Sequence, residues 1–456
     1  MDASLPGLDG LPAPQRGWAV TTLVLAVGMA SLDTSIANTA LPTIAADLLA
    51  SPAASVWVIN AYQLALVVSL LPFASLGEIY GYRIVYVWGL VVFTAASVIC
   101  ALSWSLESLT VARVLQGLGA SGVMSVNTAL VRFIYPARSL GRGVGFNALV
   151  VGVSTALGPT VAAAVLSVAS WQWLFAVNGP VGVVALLLAI RALPVTPRAA
   201  RSFDAVSAVL NAATFGLLIF GIGEAAHHAT PWITFVVLVS SLAFGVALVR
   251  RQLSIAAPML PVDLYRRPMF ALSSLTSMCS FAAQGLAFVS LPFYFQSSLG
   301  RSAVETGVLL TAWPVLTAAL APIAGPLSDR YPPAILGGIG MTILALGLML
   351  MATLGPAPTD ASCVWRLMLC GAGFGFFQSP NLKAIMASAP PERSGGASGI
   401  IATSRLIGQA VGAALVALCF GLSAQDGPAV ALGLGAGFAG VASVVSFSRL
   451  AAPVHA

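Results

Sequence analysis

Asp33 is the acidic residue that lies deepest inside an apolar stretch of the sequence. It is 17 residues from Arg16 and 14 from Asp47, or roughly 25 Å and 21 Å along a helix, which puts it near the middle of a bilayer. A carboxyl group at that depth can hold a proton in one state and a cation in another. The alternative is a structural carboxyl satisfied by its neighbours Thr34 and Asn38. If Asp33 carries the coupling proton, Asp33→Asn should preserve or raise stability, because a costly buried carboxyl is removed.

Two arginines also fall inside apolar stretches. Arg113 lies six residues after Glu107, roughly 9 Å from a helix end, so its side chain could reach the interface or bond buried carbonyl groups. Gln116 is one turn away and could join a polar network or only form a contact between helices. The depths of Arg113 and Asp33 differ, and the sequence leaves open whether they meet. Arg405 has no obvious acidic partner, so bonds to carbonyl groups are the alternative to a functional role.

The composition indicates that membrane-spanning helices position these residues. Of the 456 residues, 59% are hydrophobic and 7% are charged, whereas soluble domains carry about 25% charged residues. This excludes soluble enzymes, nucleic-acid-binding proteins and disordered chains. The three histidines form no catalytic cluster, and the five cysteines have no metal-ligand spacing, so we expect no metal and no cofactor. We also expect no cleaved signal peptide, because the first apolar segment is too long for one.

Fourteen stretches are long enough to span a bilayer, which needs about 20 apolar residues per helix. If the N-terminus is cytoplasmic, fifteen arginines fall on the cytoplasmic side and two on the other side. This asymmetry predicts a multi-pass protein of the cell inner membrane with both termini cytoplasmic. The predicted spans are 17–46, 55–78, 84–105, 108–134, 143–168, 171–192, 204–225, 231–249, 269–297, 304–327, 333–354, 364–388, 396–421 and 428–449.

Two short charged loops resemble each other and lie 251 residues apart on the predicted cytoplasmic side. They read LGEIYGYR, from Leu76 to Arg83, and GPLSDRYP, from Gly325 to Pro332. Internal repetition of this kind is common in transporters. It predicts two six-helix bundles, in 1–196 and 263–456, separated by a two-helix insert in 197–262.

The charged residues of these loops suggest a latch at the cytoplasmic face. Glu78 and Arg83 belong to the first loop, and Asp329 and Arg330 belong to the second. They could pair when the inner side of the protein is closed. The alternative is a pair of solvated loops whose arginines only set topology, because exposed ion pairs contribute little.

Five motifs in register resemble the fourteen-helix drug:proton antiporters of the major facilitator superfamily. The loop at Leu76 to Arg83 is one of them. The other four are LDTSIANTALPTI (Leu32 to Ile44), LTVARVLQGLGASG (Leu109 to Gly122), GVSTALGPTVAAA (Gly152 to Ala164) and SGGASGIIATSRLIGQAVG (Ser394 to Gly412). The resemblance covers essentially the whole chain. It implies an all-α membrane protein with a major-facilitator-type fold, two six-helix bundles plus two extra central helices.

The resemblance also implies roles for several residues. It links Arg113 to proton exchange, together with the carboxyl group of Asp33. It places Gly152, Gly158 and Pro159 in a bent, closely packed helix that could seal one mouth of a cavity. The implied substrate cavity would hold polar and aromatic side chains able to bind flat cations, although lipid contact or packing is the alternative for any single aromatic. The candidates are Asn38, Tyr62, Gln63, Gln116, Phe377 and Gln378.

These expectations combine into a proton-coupled multidrug efflux antiporter that exports lipophilic, cationic compounds by alternating access. The alternative on the same fold is an exporter of a lipid, a sugar or another metabolite. A membrane enzyme is not expected, because it would need a cluster of acids or histidines near one face. The expected partners are a small-molecule substrate, protons and the lipid bilayer, with no nucleic acid, and the protein is expected to act as a monomer.

Overall fold

The computed structural model describes residues 10–136, 139–200, 202–226, 231–255, 258, 260–355, 357–389, 394–423 and 426–451. Both chain termini, whose predicted location is cytoplasmic, lie outside these residues. The described chain is organised as a first half, a central pair of helices and a second half. Within each half, helices that are distant in sequence pack against one another.

The first half contains six long helical segments, two of which are interrupted near an end. Ser51 begins the second segment by accepting a hydrogen bond from the backbone of Ala54, and Ser105 caps another helix by accepting one from Ser108. These caps satisfy backbone donors that a helix start leaves unpaired. The helices are α1 (Ala13–Asp47), α2 (Pro52–Ser55), α3 (Trp57–Tyr80), α4 (Tyr82–Ala101), α5 (Leu106–Ile134), α6 (Leu140–Leu166), α7 (Gln172–Ala176) and α8 (Asn178–Ala192).

The central pair and the second half complete the chain. A capping box between Ser302 and Glu305 begins the second spanning segment of the second half. The helices are α9 (Ala205–Ala226), α10 (Pro231–Ser254), α11 (Pro268–Phe293), α12 (Ala303–Leu310), α13 (Ala312–Arg330), α14 (Pro333–Ala352), α15 (Asp360–Ser388), α16 (Ser394–Leu422) and α17 (Gly427–Ser448). One π-helical turn, Tyr294–Ser298, extends α11.

The helices agree with the predicted spans. In the part of the chain that the structure describes, thirteen helical segments are long and apolar enough to cross a membrane. The remaining predicted span, 364–388, corresponds to α15, which is 29 residues long but also carries Arg366, Gln378, Asn381 and Lys383. The all-α membrane-protein fold class is therefore confirmed.

Close helix contacts recur in the two halves. Gly119 of α5 lies so near α4 that a Cβ atom there would be 2.3 Å from the backbone nitrogen of Phe93. Gly373 of α15 has the same relation to α14, where a Cβ atom would be 2.4 Å from the backbone nitrogen of Leu344. Small residues permit such close packing in membranes. The same kind of close contact therefore occurs once in each half.

The two halves touch each other near the ends of α1, α6 and α11 that the arginine pattern predicts to be extracytoplasmic. Thr43 Oγ1 donates to Gln296 Oε1 over 3.3 Å, and the hydroxyls of Thr160 and Thr311 are 2.8 Å apart. These polar contacts are accompanied by an apolar cluster that includes residues of both halves, such as Ile36 of α1. We call this region the inter-half contact.

The central pair packs on the outside of the two halves. Asn211 Nδ2 of α9 donates to the carbonyl of Val68 in α3 over 2.8 Å, and α9 also contacts α16. Helix α10 packs on α9. Just before α9, Asp204 pairs with Arg251 of α10 at 2.9 Å. Burial alone would raise the pKa of Asp204, but hydrogen bonds from Arg251 and Ser207 outweigh burial and hold the pKa below its usual value.

Candidate functional site

Asp33 and Arg113 form a buried ion pair. Arg113 Nη1 lies 2.6 Å from Asp33 Oδ2, and the two side chains are 1% exposed or less. The contact joins α1 to α5 and answers the question that the sequence leaves open. Because an arginine side chain is long, it bridges the difference in depth between the two backbones. Asp33 is therefore paired with Arg113. The two alternatives from the sequence, a carboxyl that carries a proton or a cation and a carboxyl satisfied by Thr34 and Asn38, did not include this partner.

Two amide side chains complete the cluster around Asp33. Its Oδ1 atom accepts hydrogen bonds from Gln116 Nε2 at 2.8 Å and from Asn178 Nδ2 at 2.9 Å. Gln116 Oε1 accepts from Arg113 Nη1 at 2.5 Å, and Arg113 Nε donates to the carbonyl of Val58 at 3.1 Å. We call Asp33, Arg113, Gln116 and Asn178 the polar cluster. It links α1, α3, α5 and α8.

Aromatic rings enclose the guanidinium group of Arg113. Its Cζ atom lies 4.2 Å from the centre of the Tyr62 ring and 5.5 Å from that of Phe175. Its Nη2 atom makes no hydrogen bond within the described residues, and the ring faces add a cation–π contribution to the ion pair with Asp33. The Tyr62 hydroxyl donates to the carbonyl of Ala30 at 3.5 Å. Tyr62 therefore lies between the polar cluster and the space beside it.

That space is a cavity between the two halves, with an empty volume of about 710 Å³ that includes its open part. Its walls come from α1, α3, α5, α6, α11 and α16. The lining residues are Ala30, Ser31, Thr34, Ser35, Asn38, Tyr62, Gln63, Leu66, Met124, Val151, Thr155, Gln284, Gly285, Phe288, Val289, Arg405, Leu406 and Gln409.

The structure brings three of the six predicted cavity residues to this space. Asn38, Tyr62 and Gln63 line it. Gln116 does not, because its amide is turned into the polar cluster and also donates to Ser97 Oγ at 2.8 Å. Its predicted place in the cavity is corrected accordingly.

The two predicted cavity residues of α15 also lie elsewhere. Phe377 is buried in the core of the second half, with its ring centre 6.0 Å from that of Phe374. The close approach of α14 and α15 turns this side of α15 away from the cavity, since a Cβ atom on Gly340 would be 2.9 Å from the nitrogen of Phe377. Gln378 is exposed and is not among the lining residues.

The predicted gating residues of α6 lie near the inter-half contact, with one exception. A Cβ atom on Gly158 would be 2.1 Å from Ser35 Oγ of α1, and one on Gly307 of α12 would be 2.4 Å from the carbonyl oxygen of Pro159. The Gly158–Pro159 segment therefore touches α1 and the second half at the same time. Gly152 faces open space, with no described atom within 4 Å of a Cβ atom there.

In this conformation, the contacts that the structure describes for Arg83, Asp329 and the backbone of Glu78 do not cross between the two halves. Arg83 donates to the carbonyl of Ile190, and the backbone carbonyl of Glu78 accepts from Ala199 at 2.7 Å. In the second half, Asp329 pairs with Lys383, while Arg330 is exposed. The predicted latch would need these partners to be exchanged between halves.

Arg405 of α16 lines the cavity and is half-buried. Its Nε atom is buried and has no hydrogen-bond partner in the described residues. The ion pairs of this part of the chain involve Arg113, Arg251, Arg301 and Lys383, and Arg405 belongs to none of them. Nearby, Gln409 Nε2 donates to Gln284 Oε1 at 3.2 Å.

Sequence reasoning missed two members of the buried polar contacts. Asn178 is the one asparagine in the predicted span 171–192, and that isolation was an available signal. Arg449 is one of the fifteen arginines that the predicted topology places on the cytoplasmic side, but it is 2% exposed and donates to Ser273 Oγ at 3.0 Å and Asn381 Oδ1 at 2.9 Å. It therefore ties α11 and α15 to the end of α17.

The polar cluster and the cavity suit the movement of a proton and a small molecule. A carboxylate that is paired with a guanidinium can exchange that pairing for a proton. In the described residues, no group of three or more histidine, cysteine or acidic side chains is placed to hold a metal ion.

Comparison with known proteins supports the transporter assignment. The model of the Major Facilitator Superfamily matches residues 23–413 and 273–455. The chain is 54% identical over 449 residues to "Uncharacterized transporter YebQ" of Escherichia coli (strain K12), covering 98% of each. It is 32% identical over 423 residues to "Tetracenomycin C resistance and export protein" of Streptomyces glaucescens, covering 90% of this chain and 76% of that one.

A solved structure has the same fold. The bacterial homologue of the human lysosomal transporter Spinster, in an inward-facing and unoccupied conformation, aligns with a TM-score of 0.69 and 16% identity, covering 96% of this chain and 97% of that one. The resemblance predicted from the motifs is confirmed: the chain is a multi-pass membrane transporter that belongs to the major facilitator superfamily.

Proposed function

We propose that this transporter is a proton-coupled exporter of lipophilic small molecules that works by alternating access. The observation that carries the proposal is the buried pair of Asp33 and Arg113, with its Nη1–Oδ2 distance of 2.6 Å, beside a cavity between two repeated halves. We further propose that it acts as a monomer in the inner membrane, with cytoplasmic termini and with bundles in 1–196 and 263–456.

Protonation of Asp33 would break this pair and change the contacts of four helices. The neutral acid loses its attraction for Arg113, while its Oδ1 atom is still held by Gln116 and Asn178. Uncompensated burial of Arg113 is costly, so the guanidinium group would move toward Tyr62 or the cavity. This links the protonation state of Asp33, in α1, to the positions of α3, α5 and α8.

The closed end is built from contacts that can separate. Thr43 and Gln296 are joined by one hydrogen bond, and Thr160 and Thr311 by another. These neutral hydrogen bonds each contribute only about 0.5–1.5 kcal/mol. Gly158 of α6 lies directly against Ser35 of α1 at this end, so a change in α1 would be transmitted to α6 there. Opening this end and closing the opposite one would release a substrate outward.

An ion gradient can supply the energy, since one charge crossing 100 mV corresponds to about 2.3 kcal/mol. The direction of transport is supported by the relative from Streptomyces glaucescens, which is named for resistance and export. We also propose that the protein transports chemically different compounds, as a multidrug transporter does.

The role proposed for Asp33 differs in one respect from the sequence expectation. Both of its oxygens are engaged in the polar cluster, and the residue is 2% exposed. A cationic substrate would therefore have to displace Arg113 to reach it. We propose that Asp33 carries the proton and that the cavity residues contact the substrate.

Export of a polar metabolite is a second candidate, and one observation favours it. Four amide side chains line the cavity, those of Asn38, Gln63, Gln284 and Gln409. Amides suit ligands with several hydrogen-bonding groups. Competition of unlabelled sugars, amino acids and nucleosides against dye transport would separate the candidates, because a metabolite exporter should prefer one of these classes to dyes.

The proposal can be tested in everted membrane vesicles that contain the full chain. Wild type should accumulate rhodamine 110 only while a pH gradient is present. Asp33→Asn should lose this accumulation, because the amide cannot titrate. Asp47→Asn is the matched control: Asp47 lies at the end of the same helix, where it accepts a hydrogen bond from Trp171 Nε1 at 2.7 Å. Accumulation that survives collapse of the gradient, or persists in Asp33→Asn, would contradict proton coupling through Asp33.

A further inference from the structure

We propose that the substrates of this transporter carry an anionic group, such as a carboxylate, which the guanidinium of Arg405 binds inside the cavity. The inference rests on the proposed function, because it concerns the substrate class of the same cavity. It replaces the cationic substrates that the sequence predicts by organic anions and zwitterions with an apolar body.

The charge of the cavity wall carries the inference. Among the lining residues given above, Arg405 is the one with a charged side chain. The nearby carboxylate of Asp33 is neutralised by Arg113 and has both oxygens engaged. The local charge that a bound molecule meets is therefore positive.

Arg405 has a buried donor that the described part of the protein does not satisfy. Its Nε atom is buried without a partner in the described residues. A structural role through carbonyl bonds, the alternative considered from the sequence, would have used this donor. An ionised side chain at membrane depth costs several kcal/mol unless it is paired, and a ligand anion can supply the missing partner as a two-pronged acceptor.

Three other polar atoms of the cavity can accept hydrogen bonds from a ligand. Ser31 Oγ, Asn38 Oδ1 and Gln63 Oε1 are buried and have no partner in the described residues. The amide oxygens can only accept, so they fit N–H or O–H groups of a ligand. These three groups lie on α1 and α3, in the first half, whereas Arg405 lies on α16, in the second half. A ligand with an anionic end and a donor end would bridge the two halves.

The rest of the wall accounts for the apolar body. Leu66, Met124, Val151, Phe288 and Val289 line the same space. The Phe288 ring is held edge-on by Trp313, with ring centres 5.1 Å apart, so it offers a fixed surface for a flat molecule. An aromatic acid satisfies Arg405 and this wall together.

Two dyes that differ in one group can test the inference. Rhodamine 110 has a free carboxylate, and rhodamine 123 is its methyl ester. Fluorescence anisotropy would measure the binding of each to the full chain purified in detergent. Wild type should bind rhodamine 110 about tenfold or more tightly, since a charge-assisted hydrogen bond contributes enough for that ratio. Equal affinities, tighter binding of the ester or no binding of the free acid would each overturn the proposal.

Variants then assign the preference to one residue. Arg405→Gln should bind the two dyes equally, and Arg405→Lys should keep a reduced preference for the acid. Size-exclusion profiles check that each variant is folded. If Arg405→Gln does not fold, the affinities of Arg405→Lys and of wild type for the two dyes still test the proposal. A full preference for the acid in folded Arg405→Gln would refute the role of Arg405.

Asp33→Asn separates this inference from the proton-coupling proposal. The variant should keep or increase the preference of wild type for rhodamine 110, because Arg405 is unchanged and Arg113 is no longer neutralised, and it should lose gradient-driven accumulation. Retained preference together with transport that ignores the pH gradient would refute only the coupling. Lost preference in folded Arg405→Gln together with intact coupling supports both proposals, whereas absent preference in wild type with intact coupling overturns only the substrate class.

Discussion

Asp33→Asn should destabilise the protein, and the ion pair sets the magnitude. The substitution removes the charge that faces Arg113 at 2.6 Å. It also turns one acceptor oxygen into an NH₂ group among donors from Arg113, Gln116 and Asn178. Breaking a buried pair by removing one partner costs about 3–5 kcal/mol. This reverses the expectation from the sequence that Asp33→Asn would preserve or raise stability, because the buried carboxylate is paired with Arg113.

The double variant Asp33→Asn/Arg113→Gln supplies the decisive comparison. It removes both charges, so its loss of unfolding free energy should be smaller than the sum of the two single losses, by about 2 kcal/mol within the range of 0.5–3 kcal/mol for contacting residues. Unfolding in mixed micelles with increasing SDS measures the three variants against wild type. Asp360→Asn is the control, because Asp360 is 63% exposed in its pair with Arg301 and should cost about 0–1 kcal/mol. Additive losses, or wild-type stability of Asp33→Asn, would refute the reasoning.

Three further predictions test other parts of the structure. Gly158→Val should force α6 away from Ser35 and loosen the inter-half contact, which faster thiol labelling of a cysteine introduced at that end would report; unchanged labelling would contradict it. At pH values above the unfolded Asp pKa of about 3.9, the Asp204–Arg251 pair should add about 0.2–1 kcal/mol to the free energy of unfolding. This contribution should be lost as the pH falls through the lowered pKa of folded Asp204. Asp204→Asn should therefore be less stable than wild type at neutral pH and approach wild-type stability only in acid. Arg449→Ala should cost about 2–4 kcal/mol through its lost hydrogen bonds, and resistance of the second half to limited proteolysis should drop; equal resistance would be evidence against a structural role.

The membrane-spanning architecture follows from local properties of the chain. Apolar stretches of about 20 residues must form helices in lipid, because each backbone polar group needs an internal partner. The helices therefore match the predicted spans closely, including α9 and α10. The motifs likewise identify the superfamily, and the depth of Asp33 marks it as unusual, because both depend on residue type and position along one helix.

The partners of those residues depend on how helices pack, which the sequence does not encode locally. Asp33 meets Arg113 and Asn178, 80 and 145 positions away, because α1, α5 and α8 converge on one point. Phe377 lies outside the cavity because α15 packs closely against α14 at Gly340, and the sequence of α15 does not reveal which of its faces makes that contact. Arg405 likewise lines the cavity without an ion-pair partner because of how the helices pack. The sequence determined which side chains are costly in a membrane, while only the tertiary structure decided which of them are neutralised and which face the cavity.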